Sequence, residues 1–252
     1  MPSLPGRVDS QVMEWRDEGC VIAVRAHGET AAIIEVFTAA HGRHAGVVRG
    51  GASRRMAAVL QPGSQVAVQW QARLSEHMGV FAVEPVQSRA ALMEDRLSLA
   101  GLNAICAMLH VCLPERASHL ALWRGTMALL ADIEQGGDWP AQYLRWEVAL
   151  LDELGFGLDL GRCAVTGSRE GLAYVSPRTG RAVSVAGAGE WAARLLPLPS
   201  VVMGQGPASP QELGQGFALT GHFLLKGLEP VLSGQALPAA RMRLIDMLND
   251  KA

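Results

Sequence analysis

The chain has 252 residues, of which 49% are hydrophobic and 18% are charged, and its formal net charge is −2. This composition supports a packed core and argues against a chain that is disordered throughout. No apolar run reaches about 18 residues and the first residues lack an apolar signal-peptide core, so the sequence predicts no membrane span and a cytoplasmic location.

Residues 1–12 contain two prolines and a glycine, which predict a loose extension. The next part of the chain is β-rich as far as residue 87. Five segments are β-branched or alternate apolar with polar residues, and most are preceded by a glycine turn: residues 20–25, 31–38, 45–49, 64–72 and 79–84. Short strands at this spacing favour a small closed barrel. Residues 53–60, between the third and fourth segments, have a helical composition.

From residue 88 to the end the pattern is helical. We predict helices at residues 91–113, from an N-cap at Ser118 to about 133, and from Asp138 to Gly155. A capping box, Ser209-Pro-Gln-Glu212, begins another helix, and a last one runs from Pro238 to about 249. Residues 156–186 are rich in glycine and turns and predict an insert. The fold class is therefore α+β, with a barrel followed by helices.

Positive charge is concentrated in one stretch. No acidic residue lies between Glu35 and Glu76. The same stretch carries five arginines and two histidines: Arg43, Arg49, Arg54, Arg55, Arg73, His41 and His44. A guanidinium group suits phosphate because its planar fork can donate two hydrogen bonds at once. The stretch therefore predicts a surface that binds a polyanion.

Gly50 and Gly51 follow the third predicted strand and precede the helical segment. Glycines let a backbone approach a phosphate closely, so this turn predicts an anion cradle beside Arg54 and Arg55. The alternative is a solvated turn with surface charges.

Enzyme signatures are missing from the sequence. It has no HExxH, GxSxG or Walker A motif, and its histidines are dispersed without a nearby carboxylate that suggests a triad. Asp152 and Glu153 are adjacent, and adjacent residues of a helix point in different directions, which indicates a solvated face. We predict a protein that is not an enzyme and needs no cofactor.

The four cysteines are scattered and predict buried thiols in a reducing compartment. Cys163-Ala-Val-Thr166 resembles one half of a zinc knuckle, in which the second position would be cysteine. No cysteine follows in residues 174–185. Because one thiolate cannot hold a tetrahedral zinc ion, we predict that no metal binds.

The six tryptophans offer possible stacking platforms for bases. Trp70 alternates with apolar neighbours, so core packing is at least as good an interpretation for it. The four in the C-terminal half lie on predicted helices with apolar spacing and are expected in the core or at a domain interface: Trp123, Trp139, Trp146 and Trp191.

Several segments, in order along residues 13–250, resemble the RecO family of recombination mediators. They include Arg25-Ala-His-Gly-Glu29, Val36-Phe-Thr-Ala-Ala-His-Gly-Arg43, residues 50–55, Leu60-Gln-Pro-Gly63, residues 145–157 and Leu160-Gly-Arg-Cys-Ala-Val-Thr-Gly167. The order and spacing of these segments on one chain carry the resemblance.

The resemblance implies an oligonucleotide-binding (OB) barrel at residues 13–87 and a helical domain at 88–252 with a zinc-finger-like insert, here without zinc ligands. It also implies binding and annealing of single- and double-stranded DNA. The implied partners are RecR, often RecF, and single-strand-binding protein, in the loading of RecA. We expect DNA contacts from these residues: Arg25, Arg43, His44, Arg49, Arg54, Arg55 and Arg73. The alternative is an adaptor that binds RecR or single-strand-binding protein and has only incidental DNA affinity.

Overall fold

The structure of the protein is a computed structural model that describes residues 13–74, 76–206 and 208–250. The loose extension predicted at residues 1–12 lies outside the described residues. Across the described ranges, every helix is too short or too polar to traverse a lipid bilayer.

Five strands close into a barrel in the order β1-β2-β3-β5-β4. They are β1 (Met13–His27), β2 (Ala31–Thr38), β3 (Gly42–Val48), β4 (Gln65–Ala72) and β5 (Val80–Gln87). Neighbouring strands are antiparallel, except that β3 and β5 meet in parallel through Val47 and Val80. The long strand β1 pairs with β4 through its first half and with β2 through its second half. The β-rich N-terminal half is therefore confirmed.

Alternation along β4 builds the barrel core. Val66, Val68 and Trp70 are buried and point inward, whereas Gln65 and Gln69 are partly exposed on the outer face. The indole N–H of Trp70 donates to the carbonyl oxygen of Met78 at 2.9 Å, so its polar atom is satisfied inside the core. Of the two interpretations of Trp70, base stacking and core packing, the structure therefore supports core packing.

A short helix, α1 (Arg54–Val59), connects β3 to β4. The Ser53 hydroxyl accepts a hydrogen bond from the Met56 N–H at 3.4 Å, which caps the helix. Met56 and Val59 pack against the barrel core, and Leu60 is buried within it. The predicted helical segment between the third and fourth strands is thus part of the barrel.

The C-terminal half consists mainly of helices, as predicted: α2 (Arg96–Cys112), α3 (Leu120–Gln135), α4 (Trp139–Glu153), α5 (Val185–Ala188), α6 (Pro210–Gly227), α7 (Glu229–Leu232) and α8 (Ala239–Asn249). The predicted capping box is confirmed. The Ser209 hydroxyl accepts the Glu212 N–H at 3.2 Å, and the Glu212 carboxylate accepts the Ser209 N–H at 3.2 Å.

The prediction that Ser118 caps α3 is wrong. His119 occupies the N-cap position and makes no side-chain capping bond. The Ser118 hydroxyl instead donates to the carbonyl oxygen of Ala39, at 2.8 Å, in the turn between β2 and β3. The Ser118 hydroxyl therefore makes a tertiary contact between the barrel and the helical half, instead of capping α3 as the local sequence predicted.

The helices pack against the outer face of β1 and β2. Cys20, Ile22 and Phe37 belong to the same buried cluster as the inward side chains of α2, α3, α4 and α6. The segment after α2 also pairs with the start of β3, beyond the pairing of β3 with β5, because the Arg116 N–H donates to the Arg43 carbonyl oxygen at 2.8 Å and Glu115 forms a parallel bridge with Arg43. The helical half therefore covers one side of the barrel.

A buried ion pair joins three helices. Glu147 on α4 is 0% exposed and Arg241 on α8 is 3% exposed. The Arg241 guanidinium donates to both Glu147 carboxylate oxygens, at 2.7 and 2.9 Å, and to the Phe217 carbonyl oxygen at 3.0 Å. Thr220 on α6 adds a hydroxyl donor at 2.6 Å from Glu147. The arrangement fixes the relative positions of α4, α6 and α8.

The insert lies between α4 and α6 and contains a three-stranded sheet in the order β7-β6-β8. Its strands are β6 (Leu172–Val175), β7 (Ala182–Ser184) and β8 (Leu196–Pro197), so the sheet continues beyond the predicted end at residue 186. Cys163, Val183 and Ala188 form a small core of its own. The prediction of buried thiols is confirmed, because all four cysteines are buried and free.

Candidate nucleic-acid interface

Strand register places Arg25 on a row of paired residues that runs around the closed barrel, and Arg49 and Arg73 lie close to two members of this row. Residues that pair across neighbouring strands share a face, and one such row runs through four strand junctions. The row is Arg25, Ile33, Val47, Val80 and Gln71. Two further arginines lie two residues beyond members of this row: Arg49 follows Val47 and Arg73 follows Gln71. We refer to Arg25, Arg49 and Arg73 as the arginine row.

An open cleft of about 590 Å³ lies in this region, between the end of β3 and the loop that joins β4 to β5. Its charged and polar walls come from Arg49, Arg73 and His77, and apolar side chains of Val47 and Val80 also line it. Sequence reasoning missed His77. The signal was available, because this histidine lies in the short loop that immediately follows Arg73.

Arg54 and Arg55 are exposed at the start of α1. The glycine turn before them is close to the first hairpin, because the Ala52 N–H donates to the Thr30 carbonyl oxygen at 3.1 Å. A Cβ atom at Gly51 would lie 2.8 Å from the Ala32 Cβ, so this position requires glycine. Arg54 and Arg55 therefore directly follow a turn in the β3–α1 connection that is hydrogen-bonded to the β1–β2 loop.

Several backbone donors around Gly50 and Gly51 are used within the protein, and the anion cradle proposed for this turn stays a prediction. The Gly51 N–H donates to the Val48 carbonyl oxygen at 3.2 Å, and the Ser53 N–H donates to the Gly50 carbonyl oxygen at 3.0 Å. The Ala52 N–H is donated to Thr30, so three amide donors of the turn are used internally. Phosphate recognition here would depend mainly on the side chains of Arg54 and Arg55.

Arg43 has a structural role, and we revise the prediction for this residue. Its guanidinium donates to the Glu35 carboxylate at 2.7 Å and to the Leu113 carbonyl oxygen at 2.9 Å. The Glu35 carboxylate also lies 2.9 Å from the Nδ1 of His110 on α2, and it accepts a hydrogen bond from this nitrogen when the nitrogen is protonated. Arg43 therefore links the barrel to the helical half, and its charge is already balanced.

His44 lies inside the barrel, and the prediction that it contacts DNA is revised as well. It is 4% exposed and packs edge-on against the rings of Trp15 and Trp70, with centroids 5.0 and 4.7 Å apart. Burial, together with the charges of Arg116 and His41, lowers the pKa of His44 to about 4. The imidazole is neutral at pH 7 and has no access to a phosphate.

The charges on the barrel surface are strongly segregated. Within the described part of the chain, no carboxylate lies within ion-pair distance of Arg25, Arg49, Arg54, Arg55 or Arg73. The outer face of β1, β4 and β5 instead carries three carboxylates beside one guanidinium, from Glu14, Glu18, Glu84 and Arg16. A polyanion is therefore attracted to one region of the barrel and repelled from another.

A hydrogen bond from the helical half holds the β4–β5 loop in place. The Arg116 guanidinium donates to the His77 carbonyl oxygen at 2.9 Å. Arg116 has a positive φ of 66° at the start of the segment that adds to β3. This contact, which no local sequence pattern indicates, fixes one wall of the cleft.

The tryptophan predictions have different outcomes. Trp139 and Trp146 are buried in the helical core, as predicted, and Trp123 is partly buried against it. The prediction for Trp191 is wrong, because this residue is 61% exposed. It lies in a 3-10 turn, Gly189–Arg194, rather than on the inward face of a long helix.

No group of three or more metal-ligating side chains occurs in the ranges that the structure describes. The Cys163 sulfur is instead an acceptor for the N–H groups of Val165 and Thr166, both at 3.4 Å, and for the Ser184 hydroxyl at 3.3 Å. These hydrogen bonds, that of Ser184 first, lower the pKa of the Cys163 thiol to about 6.

Two family models match the chain. Residues 13–89 match the one described as Recombination protein O N terminal, and residues 93–233 match Recombination protein O C terminal. Proteins named DNA repair protein RecO are close relatives. The one from Cereibacter sphaeroides is 66% identical over 237 residues, which cover 94% of this chain and 99% of that protein. That from Roseobacter denitrificans is 56% identical over 235 residues, or 93% and 98% of the two chains.

Proposed function

Because this chain belongs to the RecO family of DNA repair proteins, we propose that it binds single- and double-stranded DNA at the arginine row of its barrel. The single observation that carries the proposal is the cleft at the end of β3, whose wall holds both Arg49 and Arg73, two arginines that have no carboxylate partner within the described residues. The revised set of contacts is Arg25, Arg49, Arg54, Arg55 and Arg73.

We assign the barrel to the OB fold. In support, its strand order is β1-β2-β3-β5-β4 and a helix lies between β3 and β4. OB folds bind oligonucleotides on the face of strands 2 and 3 and through the loops β1–β2 and β4–β5. Arg25 lies just before the first of these loops and Arg73 lies in the second. The location of the arginines thus agrees with the binding mode of this fold.

The insert is assigned to a zinc-finger-like unit that has lost its ligands. Its support is the turn at Cys163, whose sulfur accepts two backbone N–H groups as a zinc-bound thiolate would. In place of a metal, the Ser184 hydroxyl and N–H, both 3.3 Å away, complete the surroundings of the sulfur.

Annealing follows from charge neutralisation. Two DNA strands repel each other, and guanidinium groups that neutralise both backbones lower the free energy needed to bring them together. We propose that the protein anneals complementary strands in this way at the nucleoid. With RecR, and with RecF where it takes part, it would load RecA onto DNA coated by single-strand-binding protein.

The proposal is tested by fluorescence anisotropy with labelled single-stranded and duplex DNA over a series of salt concentrations. Arg49→Gln/Arg73→Gln should weaken binding to all sequences alike. For single strands the slope of log K against log salt should become shallower by about 1.4, at about 0.7 for each lost contact. Arg54→Ala/Arg55→Ala should act in the same direction.

Arg16→Gln is the matched control. It also removes one arginine from the barrel surface, but on the face with the carboxylates of Glu14, Glu18 and Glu84. Its affinity and salt slope should remain those of the parent protein. If neither double variant changes the affinity or the slope, the arginine row is not the binding site. Absence of DNA binding by the parent chain, with retained binding to RecR or single-strand-binding protein, would favour the adaptor.

A further inference from the structure

An apolar cleft of about 340 Å³ opens on the surface of the insert, far along the chain from the barrel arginines. Val165, Val183, Ala188 and Leu195 contribute its apolar lining. Hydroxyl groups of Ser176 and Thr179 lie at its margin. The cleft is thus a mainly apolar slot with a few hydrogen-bonding groups, as expected of a site for a flat heterocycle.

Trp191 and Arg194 form one wall of this cleft. The Arg194 guanidinium lies over one face of the indole ring, 4.9 Å from its centroid. Trp191 is nevertheless 61% exposed, so the rest of its ring surface is open to a ligand. An exposed tryptophan with a guanidinium beside it is a combination that single-stranded nucleic-acid sites use, because the ring stacks on a base and the cation approaches a phosphate.

The charge of the insert fits an anionic ligand. Residues 156–195 contain five arginines and three acidic residues, whereas the whole chain has a net charge of −2. The described residues that line the cleft include two arginines, Arg181 and Arg194, and no carboxylate. Arg181 pairs with Asp159 at 3.4 Å, but both side chains are about half exposed. The ion pair is therefore weak, and the Arg181 guanidinium can still interact with an anionic ligand.

The wall of the cleft rests on an ordered base. Ala188 packs in the small core with Cys163 and Val183, and Leu195 and Ala192 pack against that core. A Cβ atom at Gly187 would lie 2.8 Å from the Cys163 sulfur, so α5 is seated closely on this core. The turn that carries Trp191 follows α5 directly and is therefore positioned before any ligand arrives.

We propose that the Trp191 cleft is a second DNA site, which binds one unpaired base of single-stranded DNA by stacking. The inference rests on the proposed function, since it assumes that DNA is the ligand of this protein. A base within a duplex already stacks on its neighbours and is not free to stack on Trp191. The site therefore recognises single strands, whereas the arginine row recognises any phosphate backbone.

Binding is measured with the full chain and an oligo-deoxythymidine in which one base is 5-iodouracil. Trp191→Leu keeps an apolar side chain but loses the aromatic ring, and it should weaken single-strand binding by between about 5-fold and 100-fold. Trp191→Phe should recover most of this loss. Because no charge changes, the salt slope should remain that of the parent protein in both variants. Irradiation should crosslink the iodinated base to Trp191.

Val185→Ala is the matched control, since Val185 is 62% exposed on the same insert but does not line the cleft. It should leave binding unchanged, and equal melting temperatures should exclude misfolding of the insert. The inference is overturned if Trp191→Leu binds single strands as tightly as the parent protein while Arg49→Gln/Arg73→Gln still weakens binding. It is also overturned if Trp191→Leu keeps the affinity of the parent protein for single strands and loses only affinity for an acidic peptide, because the cleft would then be a peptide site. If the parent protein itself binds no DNA, the proposed function is overturned instead.

Discussion

Removal of one partner from the buried Glu147–Arg241 pair should cost far more than removal of both. Arg241→Met leaves a carboxylate that is 0% exposed, with the Thr220 hydroxyl as a donor at 2.6 Å and the Tyr143 hydroxyl nearby, but with no positive charge to balance it. Glu147→Leu leaves a guanidinium with only the Phe217 carbonyl oxygen and the Thr220 hydroxyl as partners. Breaking such a pair typically costs about 3–5 kcal/mol, because an uncompensated charge remains buried.

The double variant Glu147→Leu/Arg241→Met removes both charges and restores a similar volume of apolar side chain. In this variant Thr220 keeps a partner, because its hydroxyl also lies 3.2 Å from the Gly216 carbonyl oxygen. The Phe217 carbonyl oxygen and the Thr220 hydroxyl oxygen each lose the Arg241 donor, at a cost of about 1–3 kcal/mol. We therefore expect the double variant to be less destabilised than either single variant, and at least about 2 kcal/mol below the sum of the two.

Urea denaturation followed by circular dichroism measures the four free energies of unfolding that the cycle needs. The penalties of the single variants should hardly change with added salt, because a buried pair is poorly screened. Additive effects of the two substitutions would refute the reasoning, since they would mean that the charges do not interact. A single-variant penalty under about 1 kcal/mol would also refute it, because solvent would then reach the pair.

Two titrations make further predictions. The pKa of His44 is lowered to about 4, so the unfolded chain binds more protons than the folded chain between about pH 4 and 6.5. Unfolding free energy should therefore fall by up to about 3 kcal/mol as the pH drops through this range, and His44→Phe should flatten the profile; an equal slope in this variant would contradict the assignment. The pKa of Cys163 is lowered to about 6, so thiolate absorbance near 240 nm should rise with a midpoint near pH 6 and be missing from Cys163→Ser. A first thiol transition above pH 8 in the parent protein would show that the hydrogen bonds to this sulfur do not stabilise its anion.

The sequence predicted elements whose own residues specify them. Alternation along residues 64–72 identified β4, and the Ser209–Glu212 box identified the start of α6, because both signals are local. The first strand was harder. It begins at Met13 rather than Cys20, since residues 13–18 have little β propensity and become a strand only through their pairing with β4.

The acid-free, arginine-rich stretch predicted the candidate site, and the strand geometry then removed two residues from it. Arg43 and His44 lie in the same acid-free stretch as Arg49, but consecutive residues of a strand point to opposite faces. His44 points into the barrel, and Arg43 points to the face that α2 covers, where Glu35 balances its charge. Neither the position of α2 nor the face of each residue is encoded in the local distribution of charge.

Trp191 was assigned to a core because apolar spacing on a helix normally indicates burial. The residue lies instead in a short 3-10 turn at the edge of an insert whose core holds few residues. Such a core is too small to bury an indole ring together with Cys163 and Val183. The exposure of Trp191 is thus a consequence of the size of the insert, which the sequence around residue 191 does not reveal.

The direction of the arginine row limits the path that DNA could take over the barrel. Because the five strands close on each other, the row from Arg25 to Gln71 curves around the barrel, and a straight backbone could contact only the part near the cleft of Arg49 and Arg73. Continuation along β4 would bring the backbone toward Glu18 and Glu84, so the favourable path crosses the strands rather than following them. Under the proposed function the barrel would grip a short segment through charge, and discrimination between single strands and duplex would require a second contact that depends on an unpaired base.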